Sequence, residues 1–270
     1  MRLRPAWILS LGLALWAVGC GVADRDRPTV GYRLSLDGIE VVALTPPEQF
    51  VGRVPLMLPE RAEQELVDAG IREENPRFFA PTEAPPPGTR AMAEFEPVDA
   101  VHLAFDAATE SFVGELLKAI LPVAPVLVTL TENQSRGRFD ELLRSSGLGG
   151  RDVRVLGFRH DNLWTRDFGP LSVELPDGRP AFLDFRYPQT RVLDDGMPSA
   201  LAEALGAPVF RVPLRLEGGV VMTNGRGVCV TTTTRAVQNS GLAFDELARQ
   251  MSRALGCSQL VFLEAPSDEA

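Results

Sequence analysis

Three stretches of this chain repeat one order of events: a helical segment, a glycine that closes it, and a short apolar strand. Gly147 closes a helix near Phe139–Arg144 ahead of a strand at Val153–Phe158. Gly206 closes Ser199–Leu205 ahead of Val209–Val212, and Gly256 closes a helix carrying Leu242, Phe244, Leu247, Met251 and Leu255 ahead of Leu260–Leu263. The apolar residues recur at the three-and-four spacing of a helix face, and the following runs are strand-like in composition. An earlier helix carries Phe112, Val113, Leu116, Leu117 and Ile120 on one face and stops at Pro122. It stands between the strands Val101–Phe105 and Val126–Leu130. Strand pairs fall between the repeats: Leu171–Leu175 with Ala181–Phe185, and Val220–Thr223 with Val228–Thr232. Asp177-Gly178 and Asn224-Gly225 serve as their hairpin turns. A recurring unit of two strands, a helix and a further strand predicts an α/β chain built as blades around an axis, in preference to one mixed sheet.

The ends of the chain read differently. Arg2 and Arg4 precede an apolar run from Ala6 to Val18 that ends at Gly19-Cys20. The run is short of the roughly 20 residues of a membrane-spanning helix and has the layout of an export signal. Cys20 directly behind Gly19 makes residues 1–20 resemble a bacterial lipoprotein signal. That implies a chain lipidated at Cys20 and held on a bacterial envelope membrane, on the periplasmic or cell-surface side. Asp24–Pro28 then reads as a tether. Residues 21–90 form an extension with one strand candidate at Val41–Leu44, one helix candidate at Arg61–Ala69, and a Pro-rich linker from Phe78 to Arg90.

Composition narrows the classes of function. The chain of 270 residues carries 36 acids against 27 bases, a formal net charge of −9, and Lys118 is its only lysine. Phosphate binding needs clustered bases, so a nucleic-acid-binding role is excluded. Cys229 lies in a strand-like run and reads as a buried packing residue, while Cys257 sits at a helix end. An exported protein could pair them, but two cysteines are too few for a disulfide framework. No metal-ligand spacing occurs.

The chemistry concentrates in Asp161-Asn-Leu-Trp-Thr-Arg-Asp-Phe-Gly-Pro170 and Leu216-Glu-Gly-Gly219. A carboxylate beside an aromatic face is a seat for a planar cation: the acid accepts parallel N–H bonds and the ring covers the charge. Each feature read singly is also compatible with a structural ion pair, a core tryptophan or a plain turn. Together with Met92-Ala-Glu-Phe-Glu-Pro-Val-Asp-Ala-Val101, they resemble bacterial agmatine deiminases and the related peptidylarginine deiminases from about Ala91 to the C-terminus. The resemblance implies a pentein-type β/α-propeller of five blades, of which residues 91–270 would supply roughly three. It also implies hydrolysis of a guanidine to a urea plus ammonia through a cysteine nucleophile, with no metal or cofactor. A small guanidino compound or a peptidyl-arginine would be the substrate. Asp167 would then hold the guanidine, Trp164 and Glu217 would line the pocket, Arg166 would pair with a neighbouring acid, and Gly218 and Gly219 would support the site.

The departures matter as much. Asn162 stands where the family often has an acid, and Val220 where it commonly has an asparagine. His102 reads as a pocket-rim or packing residue, and His160 is outside the family's catalytic histidine position. The family's Gly-His-x-Asp block and late cysteine would follow Leu260–Glu264, where this chain stops. Three readings result: a truncated deiminase inactive alone, which is favoured because the chain ends between motifs; a surface lipoprotein that binds arginine-like cations; and a structural lipoprotein on a decayed enzyme scaffold.

Overall fold

The computed structural model describes residues 8–10, 32–36, 39–43, 71–73, 75–130, 135–187, 191–233, 239 and 241–264. Cys20, most of the leader, the Asp24–Pro28 tether and the Arg61–Ala69 helix candidate lie outside the described residues. In chain order come β1 (Ile8–Ser10), β2 (Tyr32–Leu36), β3 (Ile39–Ala43), β4 (Arg90–Ala91), β5 (Ala100–Phe105), helix α1 (Glu110–Ile120) and β6 (Val126–Leu130). Then follow α2 (Ser135–Ser145), β7 (Val153–Val155), the single turn α3 (Thr165–Phe168), β8 (Leu171–Glu174) and β9 (Pro180–Arg186). Helix α4 (Val192–Leu205), β10 (Val209–Arg215), β11 (Met222–Thr223), β12 (Val228–Thr232), α5 (Phe244–Leu255) and β13 (Gln259–Leu263) complete the order.

The strands form three separate sheets, β1-β5-β6-β7, β10-β9-β8-β4 and β11-β12-β13-β3-β2, so the blade reading holds over the single mixed sheet. The second and third sheets contain the same unit. A hairpin (β8–β9, β11–β12) pairs antiparallel, a helix crosses over, and the next strand (β10, β13) joins in parallel. The first sheet is all parallel, with α1 and α2 as crossovers. Both ends of the N-terminal region add strands: β1 lies beside β5, and the β2–β3 hairpin lies beside β13.

Packing joins the sheets in series. Phe105 and Phe139 meet edge to face at 5.0 Å in the first sheet's core, with Leu117, Val126 and Val128 fully buried. Ala100, Leu127, Phe182 and Leu201 bridge the first two sheets. Leu183, Leu214, Leu247, Met251, Leu260 and Phe262 bind the second sheet to the third. Each of these Val, Leu, Phe and Met side chains contributes about 1.5–3 kcal/mol on leaving water.

Five local expectations change. Phe112 is 48% exposed while Val113 and Leu117 are buried, so the helix face is narrower than its apolar pattern. Helix α4 begins at Val192, seven residues before the predicted start, and carries Pro198 inside it. Proline reads as a helix breaker, which hid this first half. The strand read at Val153–Phe158 ends at Val155, and Val220 belongs to a 3-10 turn (Gly218–Val220) rather than to β11. Cys229 is buried as expected but is joined to Cys257 in a disulfide, with their Cα atoms 5.9 Å apart. The bond crosses between β12 and the residue that enters its parallel neighbour β13, a proximity that sequence spacing does not disclose.

One polar network lies in the interior. Arg211 on β10 donates through Nη1 to Asp184 Oδ2 (2.7 Å) and to the carbonyls of Phe78 and Asp195, and through Nη2 to Asp195 Oδ2 (2.9 Å). Ser199 donates to Asp184, and Arg72 to Asp195. Burial pushes the Asp184 carboxyl up to about 7, against the pull of Arg211.

Candidate functional site

The two motifs sit at equivalent points, where the chain leaves one sheet for the next. Turn α3 links β7 of the first sheet to β8 of the second, and the turn Gly218–Val220 links β10 of the second to β11 of the third. Helical geometry sorts the side chains of the first motif. Residues three apart share a face, so Thr165 and Phe168 point inward and are buried, while Trp164 and Asp167 share the outer face. Trp164 is 45% exposed, which removes the reading of a core tryptophan.

Phe168 fixes the turn from below. Its ring packs among His102 (6.4 Å), His160 (6.3 Å, stacked) and Tyr187 (6.1 Å). His102 is fully buried and its Nε2 pairs with Thr129 Oγ1 at 3.0 Å, so it packs beneath the site and does not line its rim. Burial, with His160 close by, depresses the His102 imidazole to about 3; burial lowers His160 as well. Both rings are therefore neutral bases below Phe168.

The second motif lies directly against the first. A methyl group built on Gly218 would stand 2.3 Å from the Arg166 carbonyl oxygen, and one on Gly219 would stand 2.2 Å from Asp167 Oδ1. A side chain at 218 would meet fixed backbone and one at 219 the Asp167 carboxylate, so the two glycines let the links touch. Arg166 turns sideways: its Nη2 donates to Glu94, in the opening block, and to the Val221 carbonyl at 3.2 Å. All three sequence motifs thus converge. Arg90 extends the seam by pairing with Glu96 (2.9 Å) and Glu174 (3.2 Å).

Tyr187, Asp194 and Glu94 were not singled out by the sequence. The Tyr187 phenol is pushed up, first by burial and then by the Glu217, Asp167 and Asp194 carboxylates around it. Asp194 stands at the start of α4, where its only sequence signal is the acidic pair Asp194-Asp195 in a first helical turn. The site therefore gathers acids, an aromatic face and a phenol where two sheet-to-sheet links touch, on a chain of net negative charge. Such a field draws cations.

The family of Porphyromonas-type peptidyl-arginine deiminases matches residues 90–269. The chain belongs to that family. A Photobacterium profundum protein named "Putative agmatine deiminase" is 25% identical over 199 residues, which are 65% of this chain and 53% of that protein. The agmatine deiminase of Enterococcus faecalis superposes with a TM-score of 0.56 at 21% identity, covering 66% of this chain and 53% of that one. The agmatine deiminase of C. jejuni gives 0.55 at 21%, covering 65% and 56%. The fold of this deiminase-family chain is accordingly pentein-type, and its three sheets correspond to part of that propeller. The chain spans about half the length of the relatives it matches.

Proposed function

We propose that this chain supplies the guanidinium-holding side of a deiminase site and binds arginine-like cations without hydrolysing them alone. The observation that carries the reading is the close approach of Gly219 to the Asp167 carboxylate, where the Asp167 and Glu217 carboxylates both act on the Tyr187 phenol and Trp164 stands exposed on the same turn. Guanidine hydrolysis has water and a guanidinium give a urea and ammonium. The carbon is resonance-stabilised, so the reaction needs carboxylates to hold the nitrogens, a thiolate to add to the carbon, and an imidazole to move protons. The described residues offer the first of these. Their two cysteines are joined to each other, and their two histidines are buried beneath Phe168.

Calorimetric titration with agmatine, free arginine and a peptidyl-arginine, beside an assay for the ureido product, tests both halves. Binding without product is expected, with at least one of the three ligands, and Asp167→Ala should weaken it by roughly tenfold or more, the scale of a hydrogen bond to a charged group. Ureido product from this chain would overturn the non-hydrolytic half. Absence of binding to all three would overturn the guanidinium half.

The Cys229–Cys257 disulfide supports export, because such bonds persist in oxidising compartments. Within the same proposal the chain is lipidated at Cys20 and held on the envelope membrane. Fatty-acid labelling should mark the wild type and not Cys20→Ser; equal label in both would sink the anchor.

A further inference from the structure

Asn162 ties the α3 turn to the start of α4. Its amide Nδ2 donates to Asp194 Oδ2, while its Oδ1 accepts the Trp164 backbone N–H at 2.7 Å. Asp194 Oδ1 accepts the backbone N–H groups of Asp161 (2.7 Å) and Asn162 (3.3 Å). Asp161 Oδ2 in return accepts the Leu193 and Asp194 N–H groups at the start of α4, donors that a helix leaves unmet. Asp194 is fully buried at the start of this helix. An acid at position 162 would face the Asp194 carboxylate across a hydrogen-bond distance, so the Asn162–Asp194 pair replaces a repulsion with a bond.

We propose that Asp194 is a positioning residue for the guanidinium site: through Asn162 it sets the turn that presents Trp164 and Asp167. The functional meaning rests on the reading given above, but the geometry stands without it. The carboxylate acts through the Asn162 amide, whose two ends are committed in opposite senses, one donating to Asp194 and one accepting from Trp164. A proton on Asp194 Oδ2 meets the amide N–H head-on. The amide then turns over, and the Trp164 N–H loses its acceptor. The charged groups facing Asp194 are Asp161, whose charge raises its carboxyl, and Arg191, which lowers it, with the Tyr187 phenol alongside. Burial comes first among the causes and takes the carboxyl up to about 7, while the backbone N–H donors favour the anion. The arrangement shown is that of the ionised form, dominant above that value.

The emission of Trp164, read in full-length protein carrying Trp7→Phe and Trp16→Phe, reports on this turn without any ligand. A pH titration between about pH 5 and pH 9 should show a shift with its midpoint near 7. Asp194→Asn should abolish that transition. Asn162→Asp alone should shift the emission and weaken agmatine binding by roughly tenfold. The exchanged pair Asn162→Asp/Asp194→Asn reverses the bond between the two side chains, with the amide at 194 now donating to the carboxylate at 162, while both side chains still accept the same backbone N–H groups. It should restore the wild-type emission at about pH 8 and the affinity, with no transition near neutrality. A flat wild-type titration, a transition that survives Asp194→Asn, or an exchanged pair that restores nothing would each overturn the proposal. Should a single variant fail to fold by circular dichroism, the wild-type titration and the exchanged pair still decide. If no guanidino ligand binds while the emission behaves as described, the guanidinium reading fails and the positioning role stands.

Discussion

The interior network and the junction of the sheet-to-sheet links both gather acids suited to a guanidinium, and they differ in how far they are buried. In the interior, Arg211 is only 4% exposed in its side chain and is held by Asp184, Asp195 and two backbone carbonyls. At the junction of the sheet-to-sheet links, Asp167 and Glu217 are partly exposed and both act on Tyr187, Trp164 is exposed on the same turn as Asp167, and the nearby Arg166 is turned to Glu94. Two carboxylates with a planar cation between them make a structural clamp when the chain supplies the cation and closes over it. The same pairing at a solvent-open edge, with an aromatic face alongside, can take the cation from outside. Burial, rather than residue type, separates a brace from a binding site.

The largest test of that difference removes the interior cation. Arg211→Met leaves Asp184 and Asp195 in the core without the guanidinium that both oppose, and unfolding stability should fall by about 3–5 kcal/mol. Asp167→Ala at the half-buried edge should cost clearly less, about 1 kcal/mol, while removing ligand binding. Urea unfolding of both variants checks this. Similar losses in the two would mean that Asp167 is a structural acid, and the distinction would collapse.

A smaller effect is expected where the two links touch. Gly219→Ala puts a methyl group 2.2 Å from Asp167 Oδ1, so the carboxylate or the turn has to move. A stability loss of about 1–3 kcal/mol, the range of overpacking, should accompany roughly tenfold weaker binding of an arginine-like ligand. Calorimetry together with thermal unfolding measures the pair. Unchanged affinity would show that the Gly219 approach is only a packing accommodation.

How far the sequence disclosed this depended on whether a feature was local. The blade units were legible because helix periodicity, closing glycines at 206 and 256 and hairpin turns act within a few residues, and both glycines do adopt positive φ, at 65° and 71°. Trp164 and Asp167 stood out because an acid beside an aromatic ring within one short motif is a seat for a planar cation, a purely local signal, and the spacing of three that puts them on one face appears only with the turn. Asp194 was not. Its role depends on contact with Asn162, 32 positions earlier, and that contact exists only once α4 begins at Val192 through a proline that argues against a helix. The Cys229–Cys257 bond depends in the same way on a parallel pairing made by a crossover helix. His102 was legible only as a choice between rim and packing: its neighbours in sequence say strand, and the packing of Phe168 decides that it lies below the site.

The smallest effect comes from Arg166, a cation that the chain itself provides at the junction. Arg166 joins three motifs, donating to Glu94 and to the Val221 carbonyl, but the Glu94 side chain is 56% exposed and the ion pair is open to solvent screening. Arg166→Gln keeps a donor for the carbonyl and removes the charge. Stability should therefore fall by about 1 kcal/mol or less, and the loss should shrink as salt rises. Arg211→Met, buried in the network, should show almost no salt dependence. Chemical unfolding of both variants at low and high sodium chloride makes the contrast direct. If Arg166→Gln costs as much as Arg211→Met and ignores salt, the junction is a closed brace like the interior one, and the proposal that it receives a cation from outside falls with it.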